Sequence, residues 1–424
     1  MIKKVFACSK GLKGEITIPS DKSLSHRAVM FASLANGTSV IKNFSSGQDP
    51  LSTLNIFKQL GINANYKDET TLLINSKGNL TPPKTDLDCG NSGTTMRLVS
   101  GILAGQNFNS VLTGDESLSM RPMKRIIEPL TLMGAQIVSD DNHAPLKIFG
   151  SNLHSINYSS KLASAQVKSC VLLAGMFADG VTTYTEPYLS RNHTEIMLKY
   201  MGANIKTDGL TSYIEKSQLE PKEINICGDI SSAAYFIVAA LIIPDSDIIL
   251  KNVGLNPTRD GIIQVVKQMG RNIEILDEKV ISGEPVGDIR VKYSALKACE
   301  ISGELIPKLI DEIPVIAVLA TQADGDTLIK DAQDLRNKES DRISTTVNEL
   351  KKLGANIEEI PDGFIVHGKT LLKGGVEVNT YNDHRLAMSL YVAGLICEQE
   401  TLINDFEWVN ISFPTFEDCF SKIM

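Results

Sequence analysis

The sequence predicts an α/β protein of two domains, each built from three βαβαββ units. Six apolar, helix-like runs open on small or polar residues, at His26, Thr95, Ala165, Ser232, Glu312 and His384. A second phrase of the type LKKLGANI occurs five times, and its glycines are Gly61, Gly134, Gly202, Gly270 and Gly354. Six repeats of roughly 70 residues fill a chain of this length, so the repeat describes the whole protein.

Composition is that of a soluble globular protein, with 42% hydrophobic and 22% charged residues. A chain of 424 residues is too long for one ordinary core, which favours two domains. The net charge of −8 argues against a nucleic-acid-binding protein, whose binding surface would be basic. No apolar run reaches the ~18 residues of a membrane span, and the N-terminus lacks a signal-peptide stretch. We therefore expect a cytoplasmic protein with no membrane association.

Cysteine and histidine spacing predicts no metal site. The seven cysteines are scattered without a CxxC pair, so neither a zinc site nor a disulfide framework is indicated. The six histidines show no metal-ligand spacing either.

Each repeat is predicted to run strand, helix, strand, helix, strand, strand. In the first repeat a helix from about residue 23 to 35 ends at Asn36-Gly37, and the strand SVIKNF follows. A second helix from Ser52 to Leu60 stops at Gly61, before the short strands INANY and TLLINS. The last repeat is cut short at Met424, and the N-terminal strand KKVFACS is a candidate for its missing piece.

No low-complexity linker separates the domains. The expected chain crossings are at residues 19–21 and 227–229, because three repeats then lie between them. One domain would then be discontinuous, comprising residues 1–19 and 229–424, and residues 20–228 would form an inserted domain.

Polar residues gather at the predicted helix starts, where free backbone N–H groups and the helix dipole favour anions. SDKSLSHR places Lys22, Ser23 and Arg27 on the first turns of a helix, and the Gly-rich turn GNSGTTMRL offers Asn91 and Gly93. Taken alone, SDKSLSHR is as consistent with a capped helix and exposed bases as with a binding site. A Gly-rich turn such as GNSGTTMRL, taken alone, is more often a plain turn. Their shared place in the repeat favours a site for a phosphate or carboxylate ligand.

Further helix starts carry bases and hydroxyls. Pro122 is predicted to fix a helix start directly after Arg121, and LASAQVKS places Ser164 and Gln166 at another start. In SRNHTE a capping-box pattern follows Ser190, and His193 is interpreted there as a surface or capping residue rather than a catalyst.

Carboxylates accompany bases at the remaining helix starts. Asp311 and Glu312 precede a helix with Pro314 in its first turn, and Asp311 becomes a candidate general base if the site holds a hydroxyl. Two further clusters combine both charges, in KESDRI and NDHRLAM, and their charged residues are Lys338, Glu339, Asp341, Arg342, Asp383, His384 and Arg385. Charge runs are usually solvated, but repeated pairing at equivalent helix starts favours a site.

Nine motifs from residue 21 to residue 416 resemble the 5-enolpyruvylshikimate-3-phosphate synthase family. They are DKSLSHR, GNSGTTMRL, SLSMRPM, SAQVKS, GDISSAAYF, LIDEIP, KESDRI, NDHRLAM and SFPTF. The resemblance implies the enolpyruvyl transferase fold, an inside-out α/β barrel whose two domains close over the substrates. It also implies transfer of the enolpyruvyl group of phosphoenolpyruvate to the 5-hydroxyl of shikimate 3-phosphate, without metal or organic cofactor. We expect a monomer.

The resemblance also implies site residues. Those expected to contact shikimate 3-phosphate are Lys22, Ser23, Arg27, Ser164, Gln166, Ser190, Asp311 and Lys338. Those expected to contact phosphoenolpyruvate are Lys22, Asn91, Gly93, Arg121, Gln166, Arg342 and Arg385. Asp311 would be the base on the 5-hydroxyl, and Glu339 would protonate the methylene carbon, with His384 beside it and Lys22 also in the catalytic set.

The chain departs from the family pattern at one position, and there are two alternatives to the function that the resemblance implies. Many members carry a lysine where Ile411 stands, so the phosphate of phosphoenolpyruvate has one expected cation fewer. The UDP-N-acetylglucosamine enolpyruvyl transferases carry a cysteine five residues before an Arg-Pro pair, whereas this chain has Glu116 there. A non-catalytic anion-binding protein of the same fold is disfavoured by Asp311, Glu339 and His384, because extra carboxylates do not help to bind anions.

Overall fold

Helices and strands alternate along the chain in the order that the repeat predicts. The computed structural model describes residues 1–271 and 273–424, so Asn272, in the repeat phrase that starts at Val266, lies outside the described residues. The helices are α1 Lys22–Leu34, α2 Gln48–Gln59, α3 Gly93–Ala104, α4 Glu116–Ser119, α5 Lys124–Leu132, α6 Ala165–Gly175, α7 His193–Tyr200, α8 Ile230–Ile242, α9 Gly261–Gln268, α10 Ile306–Leu309, α11 Ile313–Thr321, α12 Arg342–Lys352, α13 His384–Gly394 and α14 Phe416–Ser421.

The strands are mostly short and lie between these helices. They are β1 Lys3–Val5, β2 Lys13–Thr17, β3 Asn36–Lys42, β4 Asn63–Tyr66, β5 Leu72–Lys77, β6 Leu87–Asp88, β7 Ser110–Thr113, β8 Gln136–Asp140, β9 His143–Phe149, β10 Asn157–Ser159, β11 Thr182–Thr185, β12 Ile205–Asp208, β13 Thr211–Ile214, β14 Glu223–Asn225, β15 Asp247–Gly254, β16 Glu274–Ile281, β17 Glu284–Lys292, β18 Leu296–Lys297, β19 Glu300–Ile301, β20 Ala323–Ile329, β21 Ile357–Ile360, β22 Gly363–Gly368, β23 Glu377–Asn379 and β24 Thr401–Asn404.

Within the described residues the strands form six small sheets with a common pattern. In the sheet β6-β7-β9-β8, for example, β6 pairs parallel with β7, and β9 joins antiparallel to both β7 and β8. A parallel pair needs a crossover, and α3 supplies it here. The antiparallel β8–β9 pair then closes the repeat. The predicted βαβαββ order is therefore confirmed.

Two sheets exchange their first strand. The parallel partner of β3 is β14, which precedes α8 in the chain, whereas the parallel partner of β15 is β2, which precedes α1. Each of these strands therefore completes a repeat to which it is not adjacent in sequence. This exchange occurs where the chain passes between its two compact units.

Contacts between Cα atoms divide the described chain into two compact units. The terminal unit comprises residues 1–19, 227–280 and 285–424, and the inserted unit comprises residues 20–226 and 281–284. In the terminal unit β1 pairs antiparallel with β24, so the N-terminal strand completes the shortened last repeat as the sequence suggested.

The core of each unit is made of helices. Every residue of α8, α11 and α13 in the terminal unit is buried, and most residues of α1, α3 and α6 in the inserted unit are buried as well. A helix that is apolar on all sides must be surrounded by protein, which explains why these runs become the inner helices. The polar first turns of these helices carry several residues that the sequence singled out, namely Lys22, Ser23, Gly93, Gln166, His384 and Arg385.

The recurrent glycines end the outer helices. Gly61, Gly134, Gly202, Gly270 and Gly354 have φ between +82° and +99°. In each case the next residue donates its N–H to a carbonyl five positions earlier, as from Ile62 to Phe57. This is the Schellman arrangement, in which a left-handed residue satisfies the last carbonyls of a helix. The repeated phrase is thus a helix stop.

Three local predictions were wrong. Asn36-Gly37 does not cap α1, because α1 ends at Leu34 and Asn36 already begins β3. Pro122 does not start a helix, since α5 begins at Lys124 and Arg121 lies in the loop after α4. His193 is neither a surface nor a capping residue, because it is 3% exposed at the start of α7.

None of the described helices has the length and apolar character needed to cross a membrane.

Candidate active site

The first turns of α1 are fixed by hydrogen bonds and an ion pair inside the inserted unit. Asp21 caps the helix by accepting from the N–H of Leu24. The Lys22 ammonium lies 2.9 Å from Oδ2 of Asp49, on α2. Arg27 donates from Nη1 to the Ser23 carbonyl at 3.0 Å, and from Nε and Nη2 to hydroxyls of α7 and α6. A buried guanidinium therefore joins three helices.

Gly93 at the start of α3 faces two guanidinium groups. Arg121 donates from Nη2 to Oδ1 of Asn91 at 2.7 Å and from Nη1 to the Asn91 carbonyl at 3.3 Å. A Cβ atom added to Gly93 would lie 2.8 Å from Nη1 of Arg97 and 3.5 Å from Nη1 of Arg121. The absence of a side chain at Gly93 therefore keeps room beside both cations.

Gln166 and Ser164 begin α6. Ser164 caps the helix, since its hydroxyl accepts from the N–H of Val167 at 3.5 Å. Oε1 of Gln166 accepts from Arg97 at 2.7 Å, and Nε2 of Gln166 donates to Oγ1 of Thr94 at 3.0 Å. Arg97 was not among the site residues predicted from the sequence. It lies four residues after Gly93, one helical turn along the same face, and that spacing was the available signal.

Ser190 is held by a buried charge cluster. Its hydroxyl donates to Oε2 of Glu186 at 2.5 Å, and its N–H donates to Oε1 at 3.0 Å. The Lys168 ammonium, 1% exposed, lies 2.7 Å from Glu186 and 2.8 Å from Glu195. The Ser190 hydroxyl is thus bonded to Glu186. The N-cap of α7 is Asn192, which makes no side-chain cap hydrogen bond, so the capping-box interpretation of SRNHTE was wrong.

In the terminal unit, Arg342 is the centre of an acidic cluster. Its Nε lies 2.8 Å from Asp383, its Nη1 lies 3.2 Å from Asp311, and its Nη2 lies 2.5 Å from Glu339. Lys338 is 3.8 Å from the same Asp311 oxygen. Burial alone would lower the pKa of the Arg342 guanidinium, but Asp383, Glu339 and Asp311 outweigh it and raise the pKa well above its ordinary value.

Arg385, in the first turn of α13, is buried near Tyr235. Burial opposes its charge, but Tyr235 and Asp311 act in the other direction, and the pKa of Arg385 is raised. Burial raises the pKa of Tyr235 to about 12, with Arg385 opposing that shift. Nη1 of Arg385 has no hydrogen-bond partner among the described residues. A buried N–H donor of this kind is suited to an anionic ligand. His384, adjacent in the chain, is 1% exposed.

Arg259, which is buried, was also not predicted from the sequence. Arg259 donates to Oδ1 of Asp229 at 3.0 Å and to the Ser231 hydroxyl at 2.5 Å. Ser231 in turn donates to Glu312, directly before α11. This network joins the starts of α8 and α11, and the only sequence signal for it was the Asp-x-Ser pattern opening α8.

The position of the absent lysine is apolar. Ile411 ends a short 3₁₀ helix, Phe406–Ile411, and is 6% exposed. In the described part of the chain, no group of three or more His, Cys, Asp or Glu side chains is arranged to hold a metal ion.

Comparison with known proteins assigns the family. Residues 7–420 match the family model described as EPSP synthase (3-phosphoshikimate 1-carboxyvinyltransferase). This chain belongs to the EPSP synthase family. The resemblance seen in the nine motifs is therefore confirmed, and the match extends over nearly the whole chain.

Relatives in this family are similar along their full length. The 3-phosphoshikimate 1-carboxyvinyltransferase of Thermodesulfovibrio yellowstonii is 53% identical over 422 residues, which is 98% of each chain. The enzyme of the same name from Bacillus licheniformis is 51% identical over 417 residues, 97% of each chain.

Solved structures agree with the fold. The EPSP synthase of Acinetobacter baumannii is 41% identical, with a TM-score of 0.88 over 99% of this chain and 97% of that chain. The enolpyruvyl transferase NikO of Streptomyces tendae is 17% identical, with a TM-score of 0.78 over 100% of this chain and 97% of that chain, a likeness of fold alone. The predicted enolpyruvyl transferase fold is confirmed.

Proposed function

We propose that this protein transfers the enolpyruvyl group of phosphoenolpyruvate to the 5-hydroxyl of shikimate 3-phosphate and releases phosphate. The observation that carries the proposal is the buried Arg342, paired at once with Asp311 and Glu339 in a chain of the EPSP synthase family. The reaction needs a proton acceptor for a hydroxyl, a proton donor for a methylene carbon, and cations for two anionic substrates. These groups are the ones that the two units offer.

Asp311 is proposed as the base. Its Oδ1 lies 3.2 Å from Arg342 and 3.8 Å from Lys338, and both cations favour the ionised carboxylate, which is the form that accepts a proton. Asp311 retains partial exposure, with 17% of its side chain accessible. Lys338 is proposed to bind the shikimate hydroxyls beside it.

Glu339 is proposed to protonate the methylene carbon of phosphoenolpyruvate. Its pairing with Arg342 at 2.5 Å favours the ionised carboxylate, so it must first gain a proton. An incoming substrate carboxylate would compete for the Arg342 guanidinium, because Arg342 already divides its donors among three acids. That competition weakens the Glu339 pair and favours proton uptake. His384 lies beside Arg385 in the chain and is proposed to belong to the catalytic set together with Glu339.

Binding is proposed to divide between the substrates as follows. Shikimate 3-phosphate would be bound by Lys22, Ser23, Arg27, Ser164, Gln166, Ser190, Asp311 and Lys338. Phosphoenolpyruvate would be bound by Lys22, Asn91, Gly93, Arg121, Gln166, Arg342 and Arg385. For Ser190 the bond to Glu186 sets a condition, since one hydroxyl hydrogen cannot serve Glu186 and a phosphate together. The Ser190 hydroxyl must turn away from Glu186 to donate to phosphate.

The assigned residues belong to both units, so closure of two domains over the substrates stays part of the proposal. We also propose that the protein acts as a monomer and binds no nucleic acid, in keeping with its net charge of −8. With Ile411 buried in place of a lysine, charge compensation for phosphoenolpyruvate would fall on Lys22 and the arginines.

A coupled phosphate-release assay tests the proposal. Phosphate should appear only when phosphoenolpyruvate and shikimate 3-phosphate are both present. Release with UDP-N-acetylglucosamine in place of shikimate 3-phosphate would favour the other enolpyruvyl transfer. Binding of both substrates by calorimetry without phosphate release would indicate a non-catalytic anion-binding protein.

A further inference from the structure

The contact between Arg97 and Gln166 determines the orientation of the Gln166 amide, that is, the positions of its carbonyl oxygen and its NH₂ group. Nη1 of Arg97 lies 2.7 Å from Gln166, and a guanidinium can only donate hydrogen bonds. The Gln166 atom in that contact is therefore the carbonyl oxygen, and the NH₂ group lies at the other end of the amide. Thr94 is 3.0 Å from that nitrogen and accepts one of its hydrogens.

A second amide hydrogen then remains for another acceptor. Thr94 is the one hydrogen-bond partner that Nε2 of Gln166 has within residues 1–271 and 273–424. An anion such as a phosphate or carboxylate needs N–H or O–H donors. Rotation of the amide by half a turn would instead offer a carbonyl oxygen, which repels an anion.

Space at Gly93 makes the Arg97 contact possible. A Cβ atom there would lie 2.8 Å from Nη1 of Arg97, the same nitrogen that donates to Gln166. Because Gly93, Thr94 and Arg97 all lie on the first turns of α3, this helix start carries the glycine, the acceptor and the cation together. Any side chain at Gly93 would have to displace the guanidinium.

We propose that Arg97 is a positioning residue that fixes the Gln166 amide with its N–H groups toward the anionic substrate. The inference rests on the proposed function, in which Gln166 contacts both substrates. Arg97 acts through Gln166 and not by its own charge. Removing Arg97 should therefore weaken substrate binding only while Gln166 is present.

A double-mutant cycle tests this with purified full-length protein. The variants are Arg97→Met, Gln166→Ala and the double variant, and the readout is KM and kcat in the phosphate-release assay. We expect Arg97→Met to raise KM for phosphoenolpyruvate by about tenfold or more, with a smaller change in kcat. In the Gln166→Ala background the same change should alter KM by less than about twofold.

Equal factors in both backgrounds would overturn the proposal, because Arg97 would then act directly on the anion or on the fold. Lys199→Met serves as the charge control, since Lys199 is exposed on α7 and its loss removes one positive charge from the same unit. That variant should leave KM unchanged. An increase like that of Arg97→Met would show that general charge, not the Gln166 contact, is responsible.

Two further variants keep the test decisive. If circular dichroism shows that Arg97→Met does not fold, Arg97→Lys replaces it in the same cycle. Its effect on KM for phosphoenolpyruvate must likewise disappear in the Gln166→Ala background. Gln166→Glu places an oxygen at both ends of the side chain and should raise KM at least as much as Arg97→Met. Wild-type KM in Gln166→Glu would contradict the inference, while phosphate release by the wild-type protein would leave the proposed function intact.

Discussion

Nε of Arg342 donates to Oδ2 of Asp383 at 2.8 Å, and both side chains are almost fully buried, at 2% and 0% exposure. The same carboxylate accepts from the N–H of Arg385 at the start of α13 and from the Ser340 hydroxyl. Asp383 therefore orients Arg342 and caps the helix that carries Arg385. A residue without an assigned substrate contact determines where two proposed phosphoenolpyruvate ligands lie.

We predict that Asp383→Ala lowers the free energy of unfolding by about 3 kcal/mol, because it removes one partner of a buried ion pair and a helix cap. Urea denaturation monitored by circular dichroism measures the change. Asp383→Asn should be milder, since an amide oxygen can still accept from the Arg385 N–H. Lys42→Met breaks the exposed pair with Glu223 and should stay within about 0.5 kcal/mol of wild type. Equal losses in Asp383→Ala and Lys42→Met would contradict the argument.

The proposed base gives the second prediction. Asp311→Asn should reduce kcat by a factor of roughly 10² or more, because an amide cannot accept the hydroxyl proton. Substrate binding measured by calorimetry should be largely kept. Asp324→Asn, an exposed site in the same unit, is the matched control and should retain wild-type kcat. Wild-type turnover in Asp311→Asn would remove Asp311 from the mechanism.

The third prediction concerns guanidinium geometry. Arg121→Lys keeps the charge but loses the planar fork that reaches Asn91 through two nitrogens. KM for phosphoenolpyruvate should rise by about tenfold, and KM for shikimate 3-phosphate should change less. Arg290→Lys makes the same change at a surface arginine paired with Asp247, and should leave both constants alone. A rise confined to shikimate 3-phosphate would show that Arg121 binds the other substrate.

Much of the fold was predictable because its strongest signals are local. Beyond their first turns the inner helices α8, α11 and α13 are almost wholly apolar, and the five helix-ending glycines need φ above zero. The exchange of β2 and β14 was not predictable from pattern. Both are short strands before a buried helix, and each would also fit the repeat next to it in sequence. Only long-range pairing decides between these arrangements.

The candidate site was predictable to the extent that its residues lie at helix starts. Arg342 and Arg385 are in the first turns of α12 and α13, as the charge clusters suggested. Arg97 and Arg259 were missed because their partners, Gln166 and Asp229, lie 69 and 30 residues away in the chain. A local spacing such as that from Gly93 to Arg97 places a side chain near a helix start, but it does not identify a partner so far away in the chain. The predicted place of Arg121 was wrong because Pro122 favours a helix start, whereas Pro122 lies in the loop before α5.

The last prediction concerns acid stability and a buried histidine. His26 is fully buried in α1, with Nδ1 2.7 Å from the Thr53 hydroxyl. Burial, with Lys22 and Arg27 nearby, holds the pKa of His26 well below its ordinary value of 6.5. Below about pH 6.5 the His26 imidazole therefore binds a proton in the unfolded chain but stays neutral in the folded protein. Stability from neutral His26 is present above that pH and is lost progressively as the pH falls toward the folded-state pKa.

His26→Asn removes this titration, while its amide can still bond to Thr53. Between pH 7 and pH 5.5 the wild-type free energy of unfolding should fall by about 1 kcal/mol more than that of the variant, as measured by urea denaturation at both pH values. His367→Asn is the control with the opposite sign. A hydrogen bond to Asp326 raises the pKa of the His367 side chain, so its contribution is present at low pH and lost as the pH rises. The His367→Asn variant should lose more stability than wild type on acidification, and a His26→Asn variant with the wild-type pH slope would show that His26 does not resist protonation.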